Sequence, residues 1–210
     1  MGGRLNTDAI DNSAGVDCSD HEVNIKITFR QALEAGDYTL KRRNNLLEKM
    51  TDEVERLVLR DNLLQTQAIT TTQLQGITAM EAQARMMSAL EQNGLLNRKV
   101  EFLPNAKQMQ ERRSNGQALT RPELSVLISY SKMAIYQDLL DSAFPDESYL
   151  EADLIRYFPK QMRTKFADNI RSHRLKREII VTSVTNSIVN RAGITSVSYT
   201  HLTLPTILLV

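Results

Sequence analysis

Apolar residues recur at three- and four-residue steps along most of this chain, the spacing of helices with one buried face. Val23, Ile25, Ile27, Phe29 and Leu33 predict a first helix. Ser19-Asp20-His21-Glu22 has the S-x-x-E form of a capping box, which places the helix start there. Gly36 is the natural stop. Thr39 caps a short basic helix, LKRRNNLLEKM, and Thr51-Asp52-Glu53 opens a long one through Val54, Leu57, Val58, Leu63, Leu64 and Ala68. The β-branched run at 69–73, ITTTQ, crowds the preceding turn and predicts a bend or break. Leu74, Ile77, Met80, Met87 and Leu90 then mark a helix running to Gly94.

Pro104 and Asn105 open a strongly polar helix, expected on the surface. Thr120-Arg121-Pro122-Glu123 is a further start: a Thr cap, Pro in the first turn, and Glu three residues after the Thr. The segment that follows, LSVLISYSKMAIYQDLLDSAF, is apolar around much of its circumference and belongs at the centre of a core. Helices ESYLEADLIRYF, KQMRTKFADNIRSH and RLKREIIVTSVTNSIVNRAG complete the pattern, the last ending at Gly193. The expected architecture is all-α: an irregular bundle of about eight or nine helices. It divides into an irregular polar loop over 1–22, a helical region over 23–193 and an extended tail over 194–210. The tail, rich in Thr, Leu and Val, has no helical period.

Composition narrows the function. The 210 residues carry a net charge of +1, so no global field draws in nucleic acid or an acidic membrane. Trp is absent and aromatics make up 5%, which leaves few stacking platforms for single strands. No apolar run approaches the ~20 residues that span a bilayer. One cysteine rules out an internal disulfide framework and fits a reducing, cytoplasmic setting. The clusters Lys41-Arg42-Arg43 and Arg174-Lys176-Arg177 lie in helical patterns and read as solvated faces.

Candidate chemistry concentrates in residues 2–22, GGRLNTDAIDNSAGVDCSDHE. Cys18 and His21 are metal-ligand types three apart, but no second pair completes them, so no metal is expected. Ser19 and His21, two apart, do not face each other on a helix and make no hydrolase pair. There is no nucleotide cradle of the G-x-G-x-x-G or P-loop form. Asn12 offers amide donors and an acceptor, and Gly15 permits close backbone approach. Ser19, at a helix N-terminus, would favour a carboxylate or phosphate, or would simply cap the helix.

The same stretch resembles the end of the catalytic region of the very large bacterial NAD-specific glutamate dehydrogenases. The similarity continues through LLEKMTDEVERLVLRDNLLQTQAI, RKVEFLP, LTRPELSVLISYSKM, YLEADLIRYFP and HRLKREIIVTSVTNSIVNRAG, and covers about residues 2–193. The wider superfamily's N-x-x-G-V-x-x-S-x-x-E element is matched by Asn12, Gly15, Val16, Ser19 and Glu22. The resemblance implies that Asn12 lies by the nicotinamide end of NAD and that Ser19 binds the side-chain carboxylate of glutamate. The family's catalytic lysine, catalytic aspartate and glycine fingerprint should precede this region. The chain is thus expected to be a C-terminal piece, inactive alone, of an enzyme that converts L-glutamate to 2-oxoglutarate. NAD would be held mainly by residues outside the chain, and the full-length enzyme would form a homo-oligomer. The tail resembles nothing in the family. A different class of function, a non-catalytic helical assembly or regulatory module, would make the polar helix near 105–116 and the basic clusters contact surfaces.

Overall fold

The computed structural model describes residues 5–11 and 13–196, with the backbone alone at 11, 13 and 14. Asn12 and all but the first three residues of the expected tail lie outside the described residues. Among those described, the chain is α- and 3-10-helical with no strand. The helices are α1 (Asp8–Asp11), α2 (Ser13–Glu34), α3 (Leu40–Gln75), α4 (Met80–Gln92) and α5 (Ala106–Ser114). They continue with α6 (Arg121–Leu140), α7 (Glu151–Tyr157), α8 (Lys160–Arg163), α9 (Ala167–Arg171) and α10 (Lys176–Ala192). The all-α expectation holds. No helix among the described residues is long and apolar enough to cross a membrane.

The described residues form two compact units, one of residues 5–11, 64–138 and 185–196, the other of residues 13–63 and 139–184. The first unit has a methionine- and leucine-rich core: Met80, Met86, Met87, Leu124, Leu127 and Ile128 are all fully buried. Its helix α6 is the apolar element expected at the centre of a core, with even Ser125 and Ser131 fully buried. Glu123 reaches back to accept from the Thr120 backbone N–H at 2.7 Å and from its hydroxyl at 2.8 Å, so the predicted start is real. Arg121, 9% exposed, donates to Asn6 Oδ1 at 2.7 Å, to Thr70 Oγ1 at 2.9 Å and to the Thr66 carbonyl at 3.3 Å. The polar helix α5 opens on a full capping box between Asn105 and Gln108 and buries only Met109.

The break expected at 69–73 does not occur. Helix α3 runs through it because Ala68, Ile69 and Thr72 are buried there, and that burial outweighs a weak local preference. The threonine hydroxyls are satisfied inside the helix: Thr70 Oγ1 donates to the Thr66 carbonyl at 2.8 Å and Thr72 Oγ1 to that of Ala68 at 3.0 Å. Thr51, expected to cap, sits mid-helix with its hydroxyl on the Glu48 carbonyl at 3.1 Å. The helix ends instead at Gly76, whose φ of 56° is left-handed and suits a residue without Cβ.

The second unit is built around aromatic rings. Phe29 and Tyr38 each meet the Phe166 ring edge-on at 5.1 Å, and the Lys165 ammonium lies 4.4 Å above Tyr38. Helices α2, α7 and α8 all pack on the short α9. Helix α2 stops where expected: Gly36 takes φ 78°, and the N–H groups of Gly36 and Asp37 close on the Leu33 and Ala32 carbonyls.

The start of α2 corrects the sequence reading. The loop expected over 1–22 is helical over Asp8–Asp11 and from Ser13 onward. Ser19 and Glu22 lie inside α2 and form no capping box; Glu22 pairs with Lys26 one turn on. The reason is tertiary. Asp17, His21 and Asn24 repeat at helical spacing, and the groups that meet them belong to distant segments.

Candidate functional site

Asp17, Asp20, His21, Asn24 and Thr28 fall at i, i+3, i+4, i+7 and i+11 on α2, one continuous stripe of a 3.6-residue helix. Three other segments of the same unit meet this stripe: Asp61 of α3, Tyr157 in the last turn of α7, and His173 just before α10. The His21 ring stacks on that of Tyr157 at 4.6 Å and is 3% exposed. The Tyr157 hydroxyl donates to Asp20 Oδ2 at 2.7 Å and accepts from Asn24 Nδ2 at 2.9 Å. Asn24 Nδ2 also reaches the Asp20 carbonyl at 3.0 Å. The carbonyl of Asn24 accepts from Thr28 Oγ1 at 3.0 Å.

His173 is held as one tautomer. The Leu175 backbone N–H donates to its Nδ1 at 3.1 Å, so that nitrogen carries no proton. Its Nε2–H therefore donates to the Asn24 carbonyl, 3.2 Å away. Burial lowers the His173 pKa below the ordinary imidazole value, outweighing the Asn24 bond that raises it. Burial lowers that of His21 too, against the upward pull of the Asp20 and Asp61 carboxylates. Tyr157 is pushed upward, first by burial and then by the charge of Asp20 and its bond to it. The stripe thus holds two neutral imidazoles and a firmly protonated phenol beside carboxylates.

Asp17, His21 and Asp61 each bring one ligand-type atom within 4.8 Å of the others. His21 Nε2 is 4.0 Å from Asp17 Oδ1. Cys18, the residue that sequence spacing paired with His21, is half-exposed and is not part of this group. Its place is taken by Asp61, which no local motif announces. Asp61, Tyr157 and His173 were all missed in the sequence. The one signal available was the helical spacing of Asp17, His21 and Asn24, which marks a polar face but not what meets it.

Ser19 is elsewhere. Two positions from Asp17, it lies about 200° around the helix, on the side opposite the His21 stripe. It is exposed, as are Gly15, Val16 and Val23 on the same outer side. Further along that side a groove of about 470 Å³ is lined by Val23, Lys26, Ile27, Arg30 and Arg174, with Gln31 and Glu34. Arg30 is tied to Glu34 at 2.7 Å. The described residues therefore do not join Ser19 to the histidines, and Asn12 lies outside them.

The description "Bacterial NAD-glutamate dehydrogenase, catalytic domain" fits residues 1–72, a stretch that contains α1, α2 and most of α3. "Glutamate dehydrogenase, C-terminal" fits residues 116–203, which contain α6 to α10. The chain is 52% identical over 196 residues to the NAD-specific glutamate dehydrogenase of Pseudomonas aeruginosa. It is 46% identical over 193 residues to that of Halomonas elongata and 43% identical over 194 residues to that of Mycobacterium tuberculosis. These similarities cover 93%, 92% and 92% of this chain but 12% of each relative.

Proposed function

The chain belongs to the bacterial NAD-specific glutamate dehydrogenase family, and on that premise we propose that it is one segment of an enzyme that oxidatively deaminates L-glutamate. It spans 12% of the length of the curated relatives it matches. NAD would accept the hydride leaving the α-carbon. Water would then hydrolyse the iminium to 2-oxoglutarate and ammonium. The described residues supply no glycine-rich nucleotide cradle on a strand-to-helix turn, so NAD would rest mainly on other parts of the enzyme. Within this chain, Asn12 is the proposed contact near the nicotinamide.

The observation that carries this reading is the catalytic-domain match over 1–72, within which α2 turns an open side bearing Gly15 and Ser19 outward. Small side chains there leave room for a ligand or for another part of the enzyme. The Ser19 hydroxyl is proposed to donate to the side-chain carboxylate of glutamate. Because Ser19 sits inside α2, the helix N-terminus adds nothing, and the contact is worth a single charge-assisted hydrogen bond, about 1.5–3 kcal/mol.

Ser19→Ala in the full-length enzyme tests this. The KM for glutamate rises by about tenfold or more, while the KM for NAD and the unfolding midpoint stay put because Ser19 is exposed. An unchanged glutamate KM removes Ser19 from the site. The 210-residue chain alone is expected to show no glutamate-dependent reduction of NAD, and turnover by it would overturn that expectation. Homo-oligomerisation of the full-length enzyme in the cytoplasm is part of the same proposal. The exposed apolar residues Leu95, Val100 and Phe102 in the first unit support it, and a monomeric mass in light scattering would sink it.

A further inference from the structure

We propose that Asp17, His21 and Asp61 form a site for one divalent transition-metal ion of the zinc class. The argument begins with spacing. Asp17 and His21 are four apart on α2, so they project from one face of the helix, and Asp61 comes to them from α3. One ligand-type atom from each lies within 4.8 Å of the other two, close enough for small side-chain rotations to bring all three onto a common ion.

The imidazole points independently to a ligand. His21 is 3% exposed, yet its Nδ1 has no hydrogen-bond partner among the described residues. Its Nε2 is 4.0 Å from Asp17 Oδ1, beyond hydrogen-bond length. Buried polar groups are almost always satisfied, and the nitrogen that faces Asp17 is Nε2, so as a neutral imidazole the ring can present its Nε2 lone pair to an ion held between it and the two carboxylates. Most other polar groups on the stripe are bound to each other: Asp20 and Asn24 to Tyr157, and Asn24 to His173. That network fixes the face of α2 and stacks the Tyr157 ring on His21, but it gives the imidazole Nδ1 no hydrogen bond.

The donor set selects the class of ion. One imidazole with two carboxylates suits zinc, and also manganese, iron and cobalt, rather than calcium or magnesium, which prefer oxygen alone. Asp17 is 26% exposed at its side chain and Asp61 is half-exposed, so water can reach the ion and complete its coordination. The site does not depend on Ser19, which lies on the opposite side of α2, nor on glutamate turnover.

The test uses the full-length protein, stripped with a chelator and titrated with zinc alone by calorimetry, and with cobalt alone by visible ligand-field absorption. The proposal expects one saturable site, a zinc-dependent rise in melting temperature, and cobalt bands of an imidazole–carboxylate complex. Asp61→Asn and Asp17→Asn should each weaken zinc binding by at least about tenfold, since even the loss of a supporting outer residue costs that much. Asp168→Asn, on the exposed Arg171 pair, should leave it unchanged. The proposal is overturned if protein of native circular dichroism shows no saturable zinc or cobalt binding, or binds equally well in both Asn variants. Should either variant fail to fold, the wild-type melting shift decides: a rise with zinc supports the site, and no rise removes it.

Discussion

Tyr157→Phe removes one hydroxyl and leaves the ring that stacks on His21, so it isolates two hydrogen bonds between α7 and α2. The bond donated to Asp20 Oδ2 is short, 2.7 Å, and charge-assisted. Such a bond contributes about 1.5–3 kcal/mol, but Asp20 is exposed, so water replaces the phenol on its carboxylate and recovers part of this. The second bond, accepted from Asn24 Nδ2 at 2.9 Å, contributes about 0.5–1.5 kcal/mol. Asn24 keeps its bond to the Asp20 carbonyl, so its amide is not orphaned. The expected net loss is about 1–2 kcal/mol, which for a protein of this length lowers the melting temperature by a few degrees. Urea unfolding followed by circular dichroism reads it directly. Tyr149→Phe, at an exposed ring, is the control and should be neutral. A second readout is optical. Wild-type protein should keep the phenol of Tyr157 protonated well above the ordinary tyrosine value, and the variant should lose that late-titrating signal. A loss below about 0.3 kcal/mol, with no late tyrosine in the wild type, would refute the claim that this hydroxyl joins the two helices.

Two further outcomes follow from the same structure. His21 and His173 both have lowered pKa values from burial, so the unfolded chain binds protons that the folded one refuses. Their contribution is fully present above the ordinary value of 6.5 and is lost as pH falls below it toward the folded values, at about 1.4 kcal/mol per pH unit for each. Unfolding midpoints between about pH 8 and about pH 5.5 should therefore drop, and a flat profile, or an equal drop in His173→Gln, would contradict the assignment. Arg121→Ala should cost about 2–4 kcal/mol, because Arg121, a residue 9% exposed, donates to Asn6, Thr66 and Thr70, which would lose that donor. A midpoint within error of wild type in denaturant unfolding would show that those contacts contribute nothing.

The sequence by itself determined the class of structure and several of its boundaries. Apolar positions at three- and four-residue steps depend only on helical geometry, and so do the stop at Gly36, the opening of the polar helix at Asn105 and the Thr120–Glu123 start. These signals are local, and each residue acts on a neighbour within one turn. The family resemblance was also legible, because ordered segments along the chain carry it.

Tertiary structure decided the rest. Thr70 and Thr72 favour a break by propensity, yet burial of Ile69 and Ala68 carries α3 through to Gly76. Ser19 has the residue type and spacing of a cap, but α2 begins at Ser13 and leaves Ser19 on an outer helical face. Asp17 and His21 show as a polar spacing in sequence. That Asp61, Tyr157 and His173 meet them depends on the packing of four segments, and no residue near α2 encodes it. Local order is set by geometry within a turn of helix. The polar stripe of α2 is set by which distant groups the folded chain brings against it.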